Sequence, residues 1–494
     1  SHGKQRGADS HLMPKILARK PQPKPVLLAF NETASDIPLS LGGQLSHPQL
    51  AFNDFTPLLL AQAGYAPTAD DLAENGIEIQ FTDAIRAKAQ ELGCSPVKLY
   101  EFTRNEIFFT PTYGSIQGAD MCLQTKECNS FDTSSLLISL LRSCSIPARY
   151  SLQTAEIPID KIMNMVGNFT DPMAALTLVA SGGIPVAAKV SGGKIVAARI
   201  ETVVTEAWVD MIPSRGAVHK EGDSWVQLDS TIKDYAFKQG IDVQAVTGVN
   251  AQNFSTNITA SSTIDPTTNA ITAVPVTDIQ NQLNTMITSL NNHVTNNMPD
   301  ATIGDVLGGK TIVKQKFRIL PASLPYKVIA AGASFSQMPD NLRQKITITI
   351  DSASGSAQSL TYAAPLAQLA TKRLTLSYMP ATDADAQTLS TYGYYNVKPY
   401  LIKLKPGLYI DGTPVAFGDS IGMGAMQDIS VTFTLPDGSV DRVAHKIPAS
   451  TFASIGLDLQ RIPLNLLTER KTKLDQALSQ LGTQEVPVDD VIGE

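Results

Sequence analysis

Residues 129–150 read Asn-Ser-Phe-Asp-Thr-Ser-Ser-Leu-Leu-Ile-Ser-Leu-Leu-Arg-Ser-Cys-Ser-Ile-Pro-Ala-Arg-Tyr, and this stretch decides the fold of the N-terminal half. Leucines at 136, 137, 140 and 141 form one apolar stripe of a helix. Ser130 is expected to cap its start, with Asp132 as a first-turn acid. The Ile-Pro pair at 146–147 ends the helix, and an extended segment begins at Ala148. The stretch therefore predicts a buried helix followed by a strand.

These residues resemble the core motif of the transglutaminase-like (papain-related) superfamily. In that family a cysteine opens a helix that ends in Leu-Leu-Arg and is followed by Gly-Ile-Pro-Ala-Arg. Its other two blocks are a His-Ala-Trp-Val strand and a Trp-x-x-Leu-Asp-x-Thr strand. Here residues 206–209 read Glu-Ala-Trp-Val and residues 225–231 read Trp-Val-Gln-Leu-Asp-Ser-Thr. The resemblance covers roughly residues 85–235 and implies an α+β, papain-type domain in which helices pack on an antiparallel sheet.

The resemblance also assigns the three catalytic positions, and two of them lack the family's residue. The nucleophile's position falls on Ser130 instead of a cysteine, and the histidine's position falls on Glu206. Only Asp229 keeps the family residue. A papain-type thiolate depends on a neighbouring imidazolium and a helix N-terminus, and a serine hydroxyl gains little from that arrangement. We therefore expect an inactive site. The alternative is a serine-based amide or ester hydrolase, or an acyltransferase, in which Ser130 attacks with Glu206 as base and Asp229 in support.

Other residues of the same region have roles implied by the resemblance. The segment ahead of the central helix lines the family's cleft, and Gln117 and Tyr113 are the candidates there for the oxyanion site. Trp208 is expected to be a core or cleft-wall aromatic. Cys128 is too far upstream of the helix to replace the nucleophile. A disulfide between Cys122 and Cys128 would fit an oxidising compartment.

The stretch from Tyr113 to Arg199 is similar to one bacterial branch of the superfamily. In that branch the catalytic cysteine is often absent, and the domain commonly precedes Rhs/YD-type repeats in large secreted proteins. Residues 157–199 are interpreted as an insertion over the cleft, formed by a helical hairpin and a β-hairpin that turns at Gly192 and Gly193. The chain is accordingly expected to be part of a longer protein.

Amino-acid composition argues against several classes of function. The net charge of −7 argues against a nucleic-acid-binding surface, and no run of apolar residues is long enough to span a membrane. The six histidines include no pair at metal-ligand spacing, so neither a metal nor another cofactor is expected. All four cysteines lie between positions 94 and 144. Low charge and abundant Asn, Thr and Ser favour an extracytoplasmic location, whether secreted, periplasmic or on the cell surface.

Composition and periodicity divide the chain into six segments. Residues 345–350 read Lys-Ile-Thr-Ile-Thr-Ile, one of several period-two strands that predict a C-terminal all-β, sandwich-like domain. The expected segments are an extended basic tail (1–25), the transglutaminase-like domain (26–239), a polar linker (240–278), a helical connector (279–319), the β-sandwich-like domain (320–460), and a closing helix with its tail (461–494). The sequence thus predicts a non-catalytic module of a secreted bacterial protein that acts in structure or binds a protein or peptide.

Overall fold

The computed structural model describes residues 28–31, 61–62, 66–211, 214–217, 221–264, 271–352, 360–370, 372–393, 396–457 and 464–480. The basic tail expected at 1–25 and the chain after residue 480 lie outside these ranges. The chain divides into two compact units, one formed by Ser1–Lys233 with Lys314–Glu494 and the other by Asp234–Val313.

The described residues form both helices and strands, and the α+β expectation is confirmed. The helices are α1 (Asp83–Glu91), α2 (Pro96–Glu106), α3 (Gly118–Thr125), α4 (Ser130–Ser143), α5 (Ile159–Met165), α6 (Pro172–Ser181), α7 (Val243–Thr247), α8 (Ala251–Ser261), α9 (Val276–Asn297), α10 (Ile303–Leu307), α11 (Leu366–Leu369), α12 (Asp383–Tyr392) and α13 (Leu464–Gln480). No described helix combines the length and the apolar character that crossing a membrane requires.

The strands are, in chain order, β1 (Leu28–Asn31), β2 (Ala61–Gln62), β3 (Phe108–Phe109), β4 (Glu127–Cys128), β5 (Ala148–Pro158), β6 (Val186–Ser191), β7 (Lys194–Val209), β8 (Ser224–Leu228), β9 (Tyr235–Lys238), β10 (Thr263–Ile264), β11 (Ile271–Ala273), β12 (Gly309–Ile312), β13 (Lys327–Phe335), β14 (Lys345–Ser352), β15 (Leu360–Pro365), β16 (Leu374–Pro380), β17 (Lys403–Ile410), β18 (Thr413–Phe417), β19 (Ile421–Gly422), β20 (Met426–Thr434), β21 (Val440–Pro448) and β22 (Ala453–Ser454).

A seven-stranded sheet built on β7 forms the centre of the N-terminal half. Its order is β1-β6-β7-β5-β13, with β8 also paired to β7 and β2 paired to β8. The pairing is antiparallel except between β1 and β6. Because β7 is 16 residues long, it pairs with β6 along its first part and with β8 along its last part. Strand β7 therefore sets the positions of β5, β6 and β8 in the sheet.

Helix α4 forms the core against this sheet, as the leucine stripe predicted. Every residue from Ser130 to Arg142 is buried, so the helix is covered on all sides and not on the stripe alone. The helix ends at Ser143, and Arg142 donates from Nε to Ala148 O at 2.9 Å, which joins the end of the helix to the start of β5. The Ile-Pro segment between them is thereby held in place.

Residues 157–199 contain two helices followed by a strand pair, in the order that the sequence indicated. Asp171 caps α6 by accepting from Met173 N, and proline occupies the first turn of that helix. Strands β6 and β7 then form a hairpin that turns at Gly192 and Gly193, where φ is +57° and +76°. Positive φ favours glycine, which explains the Gly-Gly pair at this turn.

The C-terminal half contains two antiparallel sheets that share one core. Their orders are β15-β14-β20-β21 and β18-β17-β16-β22, with β19 also paired to β17. Strand β14 alternates buried and partly exposed residues from Lys345 to Ile350, and its isoleucines lie in one cluster with leucines of β16 and β17. The arrangement is the β-sandwich that the period-two pattern predicted.

The sandwich is bonded to the segment that precedes α4. Arg343 donates from Nε to Glu78 Oε1 at 2.6 Å, and the Glu78 side chain is completely buried. Ser115 N donates to Leu342 O at 2.9 Å, and Met121 of α3 packs in the core of the sandwich. Within this unit the two folds therefore share buried polar and apolar contacts.

The unit Asp234–Val313 differs from the expected linker and connector. Residues 240–278 contain α7, α8 and a short β10–β11 hairpin. Strands β9 and β12 pair antiparallel and bring the two ends of the unit together, with Val313 N donating to Asp234 O at 2.9 Å. Local hydrogen bonding gives this polar segment, which has no Lys or Arg, a regular structure, because Asp242 and Asn250 cap α7 and α8.

Candidate functional site

The start of α4 is held by Asn129, not by Ser130 as the sequence suggested. The Asn129 side chain accepts a hydrogen bond from Asp132 N at 2.9 Å and donates to Gly114 O at 2.8 Å. Ser130 is instead the first helical residue and is 6% exposed. Both residue types are good caps, so composition alone could not choose between neighbours.

From Phe131, the neighbour of Ser130, contacts lead through Tyr113 to Glu201, a buried acid that the sequence did not single out. The Ser130 hydroxyl makes no hydrogen bond to any residue that the structure describes. The ring of the adjacent Phe131 packs edge-on against Tyr113, with centroids 4.9 Å apart. Tyr113 in turn donates from its hydroxyl to Glu201 Oε2 at 2.8 Å. Tyr113 thus links the ring of Phe131 to the carboxylate of Glu201, and Asp132 is a second buried carboxylate at this end of α4.

Helix α4 and strand β7 run in the same direction. Near the middle of this contact, Ser134 Oγ donates to Val203 O at 3.1 Å. At the end of the helix, Arg142 binds Ala148 O, and Ala148 pairs with Ala207. Increasing residue number on the helix therefore corresponds to increasing residue number on β7.

This shared direction separates Ser130 from Glu206. Ser130 precedes Ser134 by one helical turn, about 6 Å along the axis. Glu206 follows Val203 by three strand residues, about 10 Å in the other direction. Because the Thr205 hydroxyl also donates to Ser134 O at 3.4 Å, Ser134 lies between Val203 and Thr205, and Ser130 and Glu206 are offset by roughly 10–15 Å along the contact. The structure does not bring Ser130 and Glu206 within hydrogen-bond reach.

Glu206 has partners in its own sheet. It lies between Arg149 on β5 and Gln227 on β8, directly opposite both. Arg149 Nε donates to Glu206 Oε2 at 2.7 Å, and Gln227 Nε2 donates to Oε1 at 3.2 Å. The Arg149 guanidinium also lies 4.0 Å from the centroid of the Trp225 ring, which packs edge-on against Trp208. Both carboxylate oxygens of Glu206 are thus engaged in a structural cluster.

Asp229 is also fully engaged. Its Oδ1 accepts from Thr231 N at 2.5 Å and from Ile232 N at 3.0 Å, which forms a turn just after β8. Its Oδ2 accepts from the hydroxyl of Tyr326 at 2.7 Å. Burial raises the pKa of Asp229, while the bond from Tyr326 opposes that shift. Tyr326 was missed by sequence reasoning because nothing local links two residues separated by 97 positions.

The strand register identifies the β7 residues beside Asp229. The pairing of β7 with β8 places Asp229 level with Val204. Gln153, which donates to the Tyr326 hydroxyl, lies directly opposite Thr202. Neither Thr202 nor Val204 has a side chain that takes up a proton near neutral pH. The hydroxyl of Tyr326 therefore occupies the place beside Asp229 Oδ2, and the buried ammonium of Lys233 is close enough to oppose the rise in the pKa of Asp229.

The two oxyanion candidates are bound internally. Gln117 donates from Nε2 to Glu127 O at 2.9 Å and accepts from Thr125 Oγ1 at 2.8 Å. Tyr113 is 3% exposed, and burial together with Glu201 raises its pKa, so that it remains a neutral donor. Neither side chain is available to a reacting carbonyl near Ser130 in this arrangement.

Asp132 joins α4 to the segment before it. Its Oδ1 accepts hydrogen bonds from Ile116 N, Gln117 N and Gly118 N at 3.0–3.1 Å. Its Oδ2 is buried and has no hydrogen-bond partner in the part of the chain that the structure describes. Burial raises the pKa of Asp132 to about 7 against the lowering effect of the three amides, and the nearby carboxylate of Glu78 adds to the rise. The sequence had indicated only a first-turn acid.

All four cysteines form disulfides. Cys122 pairs with Cys128, the pair named from the sequence, and Cys94 pairs with Cys144. The second bond joins the loop between α1 and α2 to the C-terminal end of α4. Among the described residues no group of three or more His, Cys, Asp or Glu side chains is arranged to hold a metal ion.

Comparison with protein families gives a match for part of the chain. A sequence model described as the transglutaminase-like superfamily matches residues 79–230. Comparisons with curated proteins and with solved structures gave no significant match. The matched range includes α4, which begins with Ser130, β7, which carries Glu206, and β8, which Asp229 follows directly. The chain therefore contains a transglutaminase-like domain at residues 79–230.

Proposed function

We propose that the transglutaminase-like domain is a non-catalytic module that acts in structure or in binding a protein or peptide. The observation that carries this proposal is the commitment of Glu206 to Arg149 and Gln227, at a level of the sheet remote from Ser130. A serine nucleophile needs a base within hydrogen-bond reach, and Ser130 has none among the described residues.

The remaining groups of the site support the same proposal. The bond from Tyr326 to Asp229 takes the place of the imidazole donor that an active triad requires. The side-chain amide of Gln117 is satisfied by Glu127 and Thr125. Glu206, Asp229 and Gln117 are each engaged by internal partners, which supports a structural role for these three side chains.

The test is covalent labelling of the full chain with a serine-reactive fluorophosphonate, with Ser130→Ala as the control variant and an active serine hydrolase as the positive control. The proposal expects no labelling above the level of Ser130→Ala. Labelling that Ser130→Ala abolishes would overturn it.

The same assay tests the alternative, a serine-based hydrolase or acyltransferase. If Glu206 were the base, Glu206→Gln would remove the labelling as completely as Ser130→Ala. If Glu201→Gln removed it and Glu206→Gln did not, the acid beside Tyr113 would be the base.

We further propose that the protein functions in an extracytoplasmic, oxidising environment. The pairing of all four cysteines supports this, because structural disulfides persist in such compartments. The measurement is the free-thiol content of the denatured protein, isolated with its thiols blocked, from the cell fraction in which it is found. Four free thiols in the isolated protein would contradict the proposal.

A further inference from the structure

The unit Asp234–Val313 has regular secondary structure but almost no apolar core of its own. Among its described residues only two apolar side chains, Tyr235 and Ile312, are buried, and both belong to the β9–β12 pair at its ends. Helices α7, α9 and α10 contain no buried residue. Burial of apolar surface is the main force that offsets the entropy lost on folding. The unit therefore lacks the usual source of stability.

Its large apolar side chains are exposed instead. Ile303 and Leu307, one helical turn apart on α10, are 79% and 76% exposed. On α9 the exposed residues Val276, Leu283 and Ile287 are spaced by seven and four positions, so they share one face of the helix. The exposed large apolar residues of this unit are Phe237, Val243, Val274, Val276, Leu283, Ile287, Ile303, Leu307 and Val313. Such a concentration is characteristic of an interaction surface.

The charge of the unit is entirely of one sign over most of its length. The sequence has no Lys or Arg from position 239 to 309, while it has aspartates in that range. Asp300 and Asp305 lie within three residues of Ile303, so acidic and apolar side chains alternate there. Asp305 pairs with Lys238, at the edge of the acidic stretch.

A cavity of roughly 390 Å³ lies in the same unit. Its lining combines the apolar side chains of Ile241, Val246 and Met298 with His293 and two carboxylates, Asp242 and Asp305. Lys238 also lines it, and its cation is paired with Asp305, which leaves Asp242 as the carboxylate without a basic partner among the described residues. Asp242 caps α7 through Oδ1, which accepts from Ala245 N. An apolar wall beside a carboxylate fits a long basic side chain, whose methylene stem packs while its cation pairs.

We propose that residues 234–313 form a docking module for a basic, apolar peptide segment of another protein. The apolar side chains of that segment cover Ile303 and Leu307, and a Lys or Arg enters the cavity beside Asp242. A second copy of this chain is disfavoured as the occupant because residues 239–309 of both copies carry aspartates and no Lys or Arg, so that like charges would face each other. An anionic lipid surface is disfavoured by the same charges. The proposal is independent of the function of the transglutaminase-like domain, since it concerns residues outside 79–230.

The experiment measures binding of short fluorescent peptides to the full chain by anisotropy at two salt concentrations. The probes are a Leu/Lys peptide spaced for one apolar helix face, a Leu/Glu peptide and a Lys/Ser peptide. Only the Leu/Lys peptide is expected to bind, more weakly at high salt. The double variant Ile303→Ser/Leu307→Ser is expected to weaken its binding by about tenfold or more. Asp242→Asn, which keeps a helix-capping residue, is expected to weaken it less.

The matched control is Val440→Ser/Val443→Ser on β21, where two valines are also exposed, at 65% and 48%. Equal loss of binding in the control, or equal binding of the Lys/Ser peptide, would overturn the proposal. So would a dimer in light scattering that Ile303→Ser/Leu307→Ser dissociates, because the occupant would then be a second copy. Sedimentation with anionic vesicles that the same variant prevents would identify a lipid surface and would overturn it as well.

Discussion

Arg149 donates from Nε to Glu206 Oε2 at 2.7 Å while its guanidinium lies 4.0 Å from the centroid of the Trp225 ring. The acid that the sequence placed at a catalytic position therefore holds an arginine against an aromatic ring. A cation bound on its edge by a carboxylate and on its face by an indole has little freedom. The Arg149–Glu206 pair joins β5 to β7. Its contribution to the free energy of unfolding can be measured.

Glu206→Gln is expected to lower the free energy of unfolding by about 2 kcal/mol, because a mostly buried guanidinium loses its counter-ion. Arg149→Met combined with Glu206→Leu is expected to cost less than either single change, since no charge is then left unpaired. Urea denaturation followed by tryptophan fluorescence measures both, and the only two tryptophans of the chain lie in this cluster. Lys471→Met, which breaks the exposed pair with Asp475, is the control and should change the free energy by less than about 0.5 kcal/mol. An equal loss for both pairs would contradict the structural role of Glu206.

Asp132 gives the fold a specific pH dependence. Its pKa is raised from 3.8 to about 7, so the folded state favours the protonated carboxyl. Its contribution to stability is therefore complete below about pH 4 and is lost as the pH rises to about 7. Within that window wild type should lose up to about 1.4 kcal/mol per pH unit relative to Asp132→Asn, which does not titrate. Unfolding free energies of both proteins from pH 4 to pH 8 provide the test. A constant difference over this range would show that Asp132 ionises as it does in water.

Tyr326→Phe removes the hydroxyl that binds Asp229 Oδ2 and leaves the ring in place. Asp229 is buried, so the loss of one donor is expected to lower the free energy of unfolding by about 1–3 kcal/mol. Tyr400→Phe is the control because that tyrosine is 77% exposed. Chemical denaturation compares the two. Equal stability of Tyr326→Phe and wild type would mean that the hydroxyl does not satisfy the aspartate in solution.

The two disulfides should differ in their contribution to stability. The Cys94–Cys144 bond spans 50 residues and the Cys122–Cys128 bond spans six. Loop-closure entropy predicts about 4 kcal/mol for the first and about 2 kcal/mol for the second. Cys94→Ser/Cys144→Ser and Cys122→Ser/Cys128→Ser, measured by thermal and urea unfolding, give the comparison. A larger loss for the short loop would indicate that local packing, and not chain entropy, dominates.

The contact between the two folds of the first unit depends on Glu78 and Arg343. Arg343→Met leaves a fully buried carboxylate without its cation and is expected to cost about 3–5 kcal/mol. Lys345→Met, two residues along, removes an exposed partner of Asp340 and should cost less than about 1 kcal/mol. Calorimetry also reports whether the sandwich then unfolds in a separate transition. Similar melting curves for the two variants would argue against a stabilising ion pair.

Local sequence patterns predicted the elements that depend on local forces. The leucine stripe and the Ile-Pro pair define α4, and alternation from Lys345 to Ile350 defines β14. The β7 residue that lies level with Asp229 could not be found in this way. It depends on how β7 pairs with β5 and β8 over its whole length, and a short block such as Glu-Ala-Trp-Val does not set that register. The partner of Asp229 comes from a segment 97 residues away, so only the tertiary fold reveals it.

The β9–β12 pair has a consequence for how this chain could have acquired its second unit. Because the two strands join the first and last residues of Asp234–Val313, the chain leaves the unit close to where it enters. A segment whose ends are adjacent can be inserted, deleted or replaced during evolution, because a short turn from Lys233 to Lys314 reconnects the rest of the chain. Substitutions in the unit Asp234–Val313 can then create new binding surfaces without disturbing the sheet that carries Glu206 and positions Asp229.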